Sequence, residues 1–155
     1  MSVSVAHMAH HHYFHRYDHI IIRISSTYGL DPALIHAVIY QVTPSAVKEW
    51  KRVTGEKHLG KAFRELLKGM SEQELTEAKD EDVLLHPEIN IALGCWYIDH
   101  LMKRYSYWSE PLPIILASYN AGPSNANRWQ DRAPVRPPLL TTSQYIDQID
   151  FPETR

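Results

Sequence analysis

HPEINIALGCWYIDHLMKRY, residues 86–105, carries the strongest helix signal in the sequence. It opens with Pro87, and proline favours the first position of a helix because the N–H that it lacks would be unpaired there. Apolar side chains then cover most of the helix circumference: Ile91, Leu93, Trp96, Ile98, Leu101, Met102 and Tyr105. A helix that is apolar nearly all round lies in the interior of a protein. The sequence therefore predicts a long central helix from Pro87.

Further helices are predicted on both sides of this segment. Asp31-Pro32 and Thr43-Pro44 each combine a capping side chain with a proline at the first helical position. Ser71 and Glu74 fit a capping box, in which each side chain accepts from the other residue's backbone N–H. The apolar pattern predicts three more helices, over residues 14–28, 111–122 and 141–149.

Other segments are predicted to be irregular. Residues 76–83 and 123–129 are polar and predict turns, and residues 133–138 form a proline-rich loop. No stretch alternates with the period of two that a half-buried strand requires. The predicted fold class is therefore all-α.

Composition narrows the class of protein. The chain has 155 residues, 44% of them hydrophobic, and a formal net charge of -2, which is typical of one globular domain. We place this domain at residues 17–155.

No basic stripe suggests a nucleic-acid partner. The longest apolar runs are too short to span a bilayer, and we expect no secretion signal in this chain. Cys95, the lone cysteine, allows no internal disulfide and is predicted to be buried.

Six of the ten histidines lie between His7 and His19. A spacing of four residues, as between His11 and His15, could present two imidazoles on one helical face, which is a known zinc geometry. No carboxylate or cysteine completes the set, so we interpret residues 1–16 as a flexible His-rich segment. We predict no metal site and no cofactor.

Five segments carry motif residues as well as helix signals. HPEINIALGCWYIDHLMKRY resembles the pattern "dPe-NI-lG-yl", ILASYNAGPSNANRW (115–129) resembles "AAYNAGpg-v-rW", and YIDQIDFPETR (145–155) resembles "fie-IPf-ETR". YDHIIIRISSTYGLDPALIHAVI (17–39) and YQVTPSAVKEW (40–50) are similar to "y--lI---a--yglDp-LihAvI" and "GLMQvtPsTakeW". These patterns belong to the soluble lytic transglycosylase family, and the resemblance covers nearly the whole chain from Tyr17. It implies a lysozyme-like SLT domain that acts on peptidoglycan, with the small cleft-wall β element missing.

The resemblance fails where the family carries its catalytic acid. There, "AvI" is followed by "ES-f-p-AvS--GA-GLMQ", and the Glu is the sole acid. Here Ile39 is followed directly by YQVTP, residues 40–44. Either Gln41 is the glutamine of the "LMQ" element and the Glu-Ser segment is lost, or Gln41-Val42 stands where Gln-Glu is expected. Both alignments leave the catalytic position without a carboxylate.

The chemistry of the family makes this gap important. Cleavage between N-acetylmuramic acid and N-acetylglucosamine needs a proton on the glycosidic oxygen, and loss of a general acid costs about 100-fold to 10,000-fold in rate. The resemblance implies a single carboxyl, because the 6-hydroxyl of the muramic acid attacks the anomeric carbon and gives an anhydro product. No second acid is therefore available to take over the proton transfer.

The remaining site residues implied by the resemblance bind substrate. Tyr119 and Asn120 would line the cleft, Ala121 and Gly122 would let the backbone approach the sugar, and Gln41 would face the cleft. A scaffold role explains these residues equally well: Tyr119 as a core aromatic, and Asn120, Ala121 and Gly122 as the end of a helix.

Glu49 is the carboxylate nearest to the gap, about a turn and a half after Pro44. Lys48, Lys51 and Arg52 surround it in sequence, which favours an exposed, salt-bridged side chain over a replacement acid.

Three hypotheses follow. The first is a transglycosylase-family protein that binds glycan strands and does not cleave them. The second is an active enzyme with a displaced acid such as Glu49, and the third is a helical interaction module without glycan affinity. The resemblance implies the cell envelope, periplasmic or extracellular, as the location. Joining the second and third helices directly would expose apolar surface, so we also predict self-association or a loosened N-terminal lobe.

Overall fold

The computed structural model describes residues 16–38 and 42–150, and these residues are helical or irregular, with no β-strand among them. The all-α fold class is therefore confirmed. The helices, in chain order, are α1 (Asp18–Thr27), α2 (Pro32–Val38), α3 (Pro44–Thr54), α4 (Leu59–Ala62), a 3₁₀ turn (Arg64–Leu66), α5 (Glu72–Glu77), α6 (Asp80–Val83), α7 (Pro87–Arg104), α8 (Leu112–Ala121), α9 (Pro123–Arg132) and α10 (Thr142–Ile146). Gln41 and most of the His-rich segment lie outside the described residues.

The chain divides into two compact units. The first comprises residues 1–40 and 58–95, and the second comprises residues 41–57 and 96–155, so that the division falls within α7. The prediction of a central α7 is confirmed within each unit, since residues 91–95 and Tyr97, Ile98 and Leu101 are buried. Met102 is 43% exposed, because the polar last turn of α7 lies at the surface.

The local signals in the sequence position the helix ends as predicted. Asp31 accepts from the Ala33 N–H at 2.8 Å in front of α2, and Thr43 caps α3. Gly55 ends α3 with a φ of 73°, in the left-handed region that glycine adopts without steric cost. The capping box at the start of α5 is also confirmed.

The core of the first unit lies between α1, α2 and the helices that follow residue 58. Its largest fully buried aliphatic side chains are Ile35, Leu59, Leu75, Ile89 and Leu93. At its surface Arg23 pairs with Glu88 at 3.1 Å, and His36 with Asp18 at 3.0 Å. Cys95 is fully buried as predicted, and burial raises the pKa of its thiol to about 12.

The core of the second unit is aromatic. Trp129, Tyr97, Tyr105 and Tyr145 are fully buried, and the Trp108 and Tyr145 rings meet edge to face at 5.3 Å. The Tyr145 hydroxyl donates to the Ala126 carbonyl oxygen at 3.1 Å, which connects α10 to α9. These contacts hold α9 in a fixed position beside the end of α8.

Two segments predicted as turns are helical, and both predictions are wrong. Residues 123–129 form most of α9, because Pro123 starts the helix and Ala126 and Trp129, three residues apart, supply a narrow buried stripe. Residues 76–83 contain the end of α5 and all of α6. There Val83 is buried, and Asp80 accepts from the Leu59 N–H at 3.2 Å.

Candidate functional site

A groove of about 520 Å³ lies in the second unit, where α3, the end of α7 and the α8–α9 junction meet. Its walls consist of charged side chains from α3 and α7 and of small and polar residues from the junction: Ser45, Lys48, Glu49, Arg52, Arg104, Ala121, Gly122, Pro123, Ser124 and Asn127. A volume of this size suffices for a sugar-sized ligand.

Gly122 shapes the floor of the groove. It separates α8 from α9 with φ 85° and ψ 152°, a conformation that residues other than glycine rarely adopt. A Cβ atom built on Gly122 would lie 3.5 Å from the Ser45 hydroxyl oxygen. The α8–α9 junction is therefore in close contact with the first turn of α3.

Asn127 is held at the groove by a buried hydrogen-bond chain. The Ser118 hydroxyl donates to the Tyr105 hydroxyl oxygen at 3.1 Å, and the Tyr105 hydroxyl donates to Asn127 Oδ1 at 3.0 Å. Because Tyr105 and Ser118 are both buried, this chain fixes the orientation of the Asn127 amide.

Glu49 is the only carboxylate among the residues that line the groove. Arg52 donates to it twice, from Nε at 2.9 Å and from Nη2 at 2.6 Å, and His100 Nε2 lies 3.2 Å from Oε1. Arg104 approaches the same oxygen to 3.8 Å. The predicted salt bridge is confirmed. The predicted exposure is wrong, since only 16% of the Glu49 side chain is exposed. His100 and Arg104 of α7 pack against this side chain.

These contacts determine the protonation of Glu49. The hydrogen bonds from Arg52 are the largest cause, and with the charges of Arg52 and His100 they outweigh desolvation and lower the pKa of Glu49 to about 2. Glu49 is therefore ionised at neutral pH. A general acid needs a pKa raised towards neutrality, and the pKa of Glu49 is lowered. Glu49 therefore has no proton to donate to a substrate at neutral pH, and the groove presents cations and hydrogen-bond donors instead.

Two aromatic side chains of α7 surround this cluster. Trp96 stacks on His100 with 5.2 Å between the ring centroids and 9° between the planes. The Tyr97 hydroxyl is buried and has no hydrogen-bond partner within the described ranges. Burial, followed by the negative charge of Glu49, raises the pKa of Tyr97, which keeps that hydroxyl protonated.

Of the residues that the family motifs imply and the structure describes, some line the groove and others do not. Ala121 and Gly122 line the groove together with Glu49. Tyr119 is only 2% exposed and packs against Tyr97, with 5.8 Å between the ring centroids. Asn120 is exposed at the end of α8 and is not among the lining residues.

Sequence reasoning missed the cations as a set. Lys48 and Arg52 are four residues apart and share one face of α3, a spacing that could have indicated a positive stripe. Arg104 comes from the last turn of α7, 52 positions after Arg52, and no local signal connects the two.

In the part of the chain that the structure describes, no group of His, Cys, Asp and Glu could hold a metal ion, and no helix is long and apolar enough to cross a membrane.

Comparison with known proteins assigns the family. The model of the transglycosylase SLT domain matches residues 19–138, more than three quarters of the chain. The search of curated proteins found no match, and the search of solved structures also found none. The matched range includes α1 from its second residue onward, α2–α9 and the whole groove, so this chain belongs to the transglycosylase SLT domain family, whose lysozyme-like, mainly helical domain acts on peptidoglycan.

Proposed function

We propose that this protein binds the glycan strands of peptidoglycan in the groove of the second unit and does not cleave them. The observation that carries the proposal is the state of Glu49, the one carboxylate at the groove, which is ionised and bound by Arg52 and His100. The same groove presents Ala121, Gly122 and Asn127, which suit contact with a sugar backbone.

The absence of cleavage follows from the proton that the reaction needs. The glycosidic oxygen must be protonated as the bond breaks, and a carboxyl with a pKa near 2 carries almost no proton at pH 7. Both alignments of YQVTP, residues 40–44, place no carboxyl at the family's catalytic position. The family resemblance implies no second acid that could take over.

A displaced acid is the competing function, and one observation favours it: Glu49 shares the groove with Ala121 and Gly122. Under that alternative, Glu49→Gln would abolish release of anhydro-muropeptides. Glu56→Gln would leave the release unchanged, because Glu56 lies in the exposed turn after α3. Our proposal expects no release from any of the three proteins.

We further propose that residues 17–155 act as one domain in the cell envelope. The family's substrate lies there, outside the cytoplasmic membrane. Self-association or a loosened N-terminal lobe is part of the proposal, because only residues 39–43 separate α2 from α3, where the family carries a longer segment that would cover apolar surface. Sedimentation velocity at increasing protein concentration tests this. A single monomeric boundary at every concentration would contradict self-association.

Co-sedimentation with purified sacculi tests binding. Ser124 occupies the second position of α9 at the groove, and Ser143 occupies the equivalent exposed position of α10 away from it. Wild-type protein and Ser143→Trp are expected to sediment with sacculi, and Ser124→Trp, which places a bulky indole at the groove, to remain in solution. If folded wild-type protein stays in solution, or if both tryptophan variants sediment equally, the groove does not bind glycan strands.

A further inference from the structure

We infer that the groove binds an anionic oxygen group, a carboxylate or a phosphate, through Lys48, Arg52 and Arg104. The assignment of that group to the bacterial wall rests on the proposed function. The anion site itself rests on the charges and the helix ends at the groove. The proposal therefore goes beyond glycan binding, because an uncharged sugar would not use these cations.

The charges that line the groove do not balance. Lys48, Arg52 and Arg104 are cationic and Glu49 alone is anionic, which leaves an excess of two positive charges. Lys48 is exposed and forms no ion pair with any residue of the described ranges. The excess charge is therefore available to a ligand.

Arg52 and Arg104 retain donors after pairing with Glu49. Arginine has five N–H donors, and Glu49 accepts from two nitrogens of Arg52. Arg104 is 38% exposed, and its Nη1 lies 3.8 Å from Glu49, beyond hydrogen-bond distance. Both guanidinium groups can therefore donate to a second acidic group, in the forked geometry that suits carboxylate and phosphate.

Two helix N-termini add to the positive potential at the same place. α3 and α9 have 11 and 10 residues, and Ser45 and Ser124, their second residues, both line the groove. The backbone N–H groups at these positions have no partner within their own helix. The N-terminal end of each helix also carries a partial positive charge. The 3.5 Å between the Gly122 Cβ position and the Ser45 hydroxyl oxygen brings these two ends together.

Peptidoglycan supplies such a group as the lactyl carboxylate of muramic acid, which is free wherever no stem peptide is attached. Phosphate-rich polymers attached to the wall are a different source of the same chemistry. The groove volume of about 520 Å³ admits a charged group together with the sugar that bears it. Discrimination between these sources requires probes that carry, in turn, no charged group, a carboxylate or a phosphate.

Isothermal titration calorimetry with three probes provides this test. The probes are an uncharged N-acetylglucosamine tetramer, a peptide-free tetrasaccharide of alternating N-acetylglucosamine and muramic acid, and a short glycerol phosphate polymer. The variant is Lys48→Gln, which removes one cation without breaking an ion pair of the described residues. The matched control is Lys103→Gln, because Lys103 pairs with Asp99 at 2.6 Å and does not line the groove.

We expect the muramic acid tetrasaccharide to bind more tightly than the uncharged tetramer. Lys48→Gln should weaken it by about three- to tenfold, the range for one charge-assisted contact at a partly exposed site, and Lys103→Gln should leave it unchanged. Tight binding of the phosphate polymer with the same dependence on Lys48 would support the site and identify phosphate as its source. Binding of that polymer alone would support the site and contradict the proposed function.

Equal affinity for charged and uncharged tetramers, unaffected by Lys48→Gln, would overturn the anion site and leave glycan binding intact. Absence of binding by all three probes to folded protein would overturn both proposals.

Discussion

Replacement of Glu49 by glutamine removes the carboxylate on which Arg52, His100 and Arg104 converge, and the expected loss of stability follows from its pKa. Folding lowers this pKa from 4.5 to about 2, which corresponds to at most about 3.4 kcal/mol of folding free energy at neutral pH. Arg52 is 64% exposed, so solvent screens the pair that contributes most. We therefore expect Glu49→Gln to lose about 1–2 kcal/mol at pH 7.

The contribution of Glu49 to the free energy of unfolding decreases as the pH falls. Because the pKa of Glu49 is lower in the folded state, its contribution is fully present well above pH 4.5 and is lost as the pH falls towards 2. At pH 3 about 40% of the contribution remains, by linkage between the two pKa values. The stability difference between wild type and Glu49→Gln should therefore fall to less than half between pH 7 and pH 3.

Urea unfolding at pH 7 and pH 3, followed by tryptophan fluorescence, measures this difference. Thermal unfolding at pH 7 should show a midpoint lower by about 2–8 °C for a chain of this length. Glu56→Gln is the control and should match wild type at both pH values, because Glu56 is exposed in the turn after α3. If Glu49→Gln lowered the free energy of unfolding by the same amount at pH 7 and pH 3, the assignment of an ionised, paired Glu49 would be refuted.

Three further predictions concern the scaffold of the groove. Gly122→Ala should cost about 1–3 kcal/mol in urea unfolding, because φ 85° with ψ 152° is strained for alanine; an unchanged midpoint would contradict this. Tyr105→Phe should cost about 1–2 kcal/mol, since it leaves the buried Ser118 hydroxyl and Asn127 Oδ1 without their shared partner, and a neutral effect would argue against that chain. Cys95 should react with a thiol reagent only after unfolding, because its thiol is buried with a pKa of about 12; rapid labelling of native protein would contradict this.

Helix starts were predictable because their signals are local. Thr43-Pro44, the Ser71–Glu74 capping box and Pro87 each act within one turn, and the structure starts helices at these points. α9 was missed because PSNANRW, residues 123–129, is polar, and only Ala126 and Trp129 of that helix are buried. Its helical state depends on tertiary burial of these two side chains, which composition does not reveal.

The candidate site was predictable only in part for the same reason. The motif around residues 115–129 indicated Ala121 and Gly122, which line the groove. The lowered pKa of Glu49 depends on His100 of α7 as well as on Arg52 of α3, and only the folded chain brings His100 to Glu49. Sequence spacing therefore predicted a salt bridge between Glu49 and a neighbouring cation and could not identify the rest of the cluster.

Mass spectrometry of the soluble fraction released from sacculi shows whether this protein cleaves glycan strands. Purified protein, confirmed as folded by its unfolding transition, is incubated with sacculi over a range of protein concentrations. Because Glu49 is ionised, we expect no anhydro-muropeptides above the level of a protein-free control. Anhydro-muropeptides that increase with protein concentration, and that disappear with Glu49→Gln, would show that the groove retains a working acid and would contradict binding without cleavage.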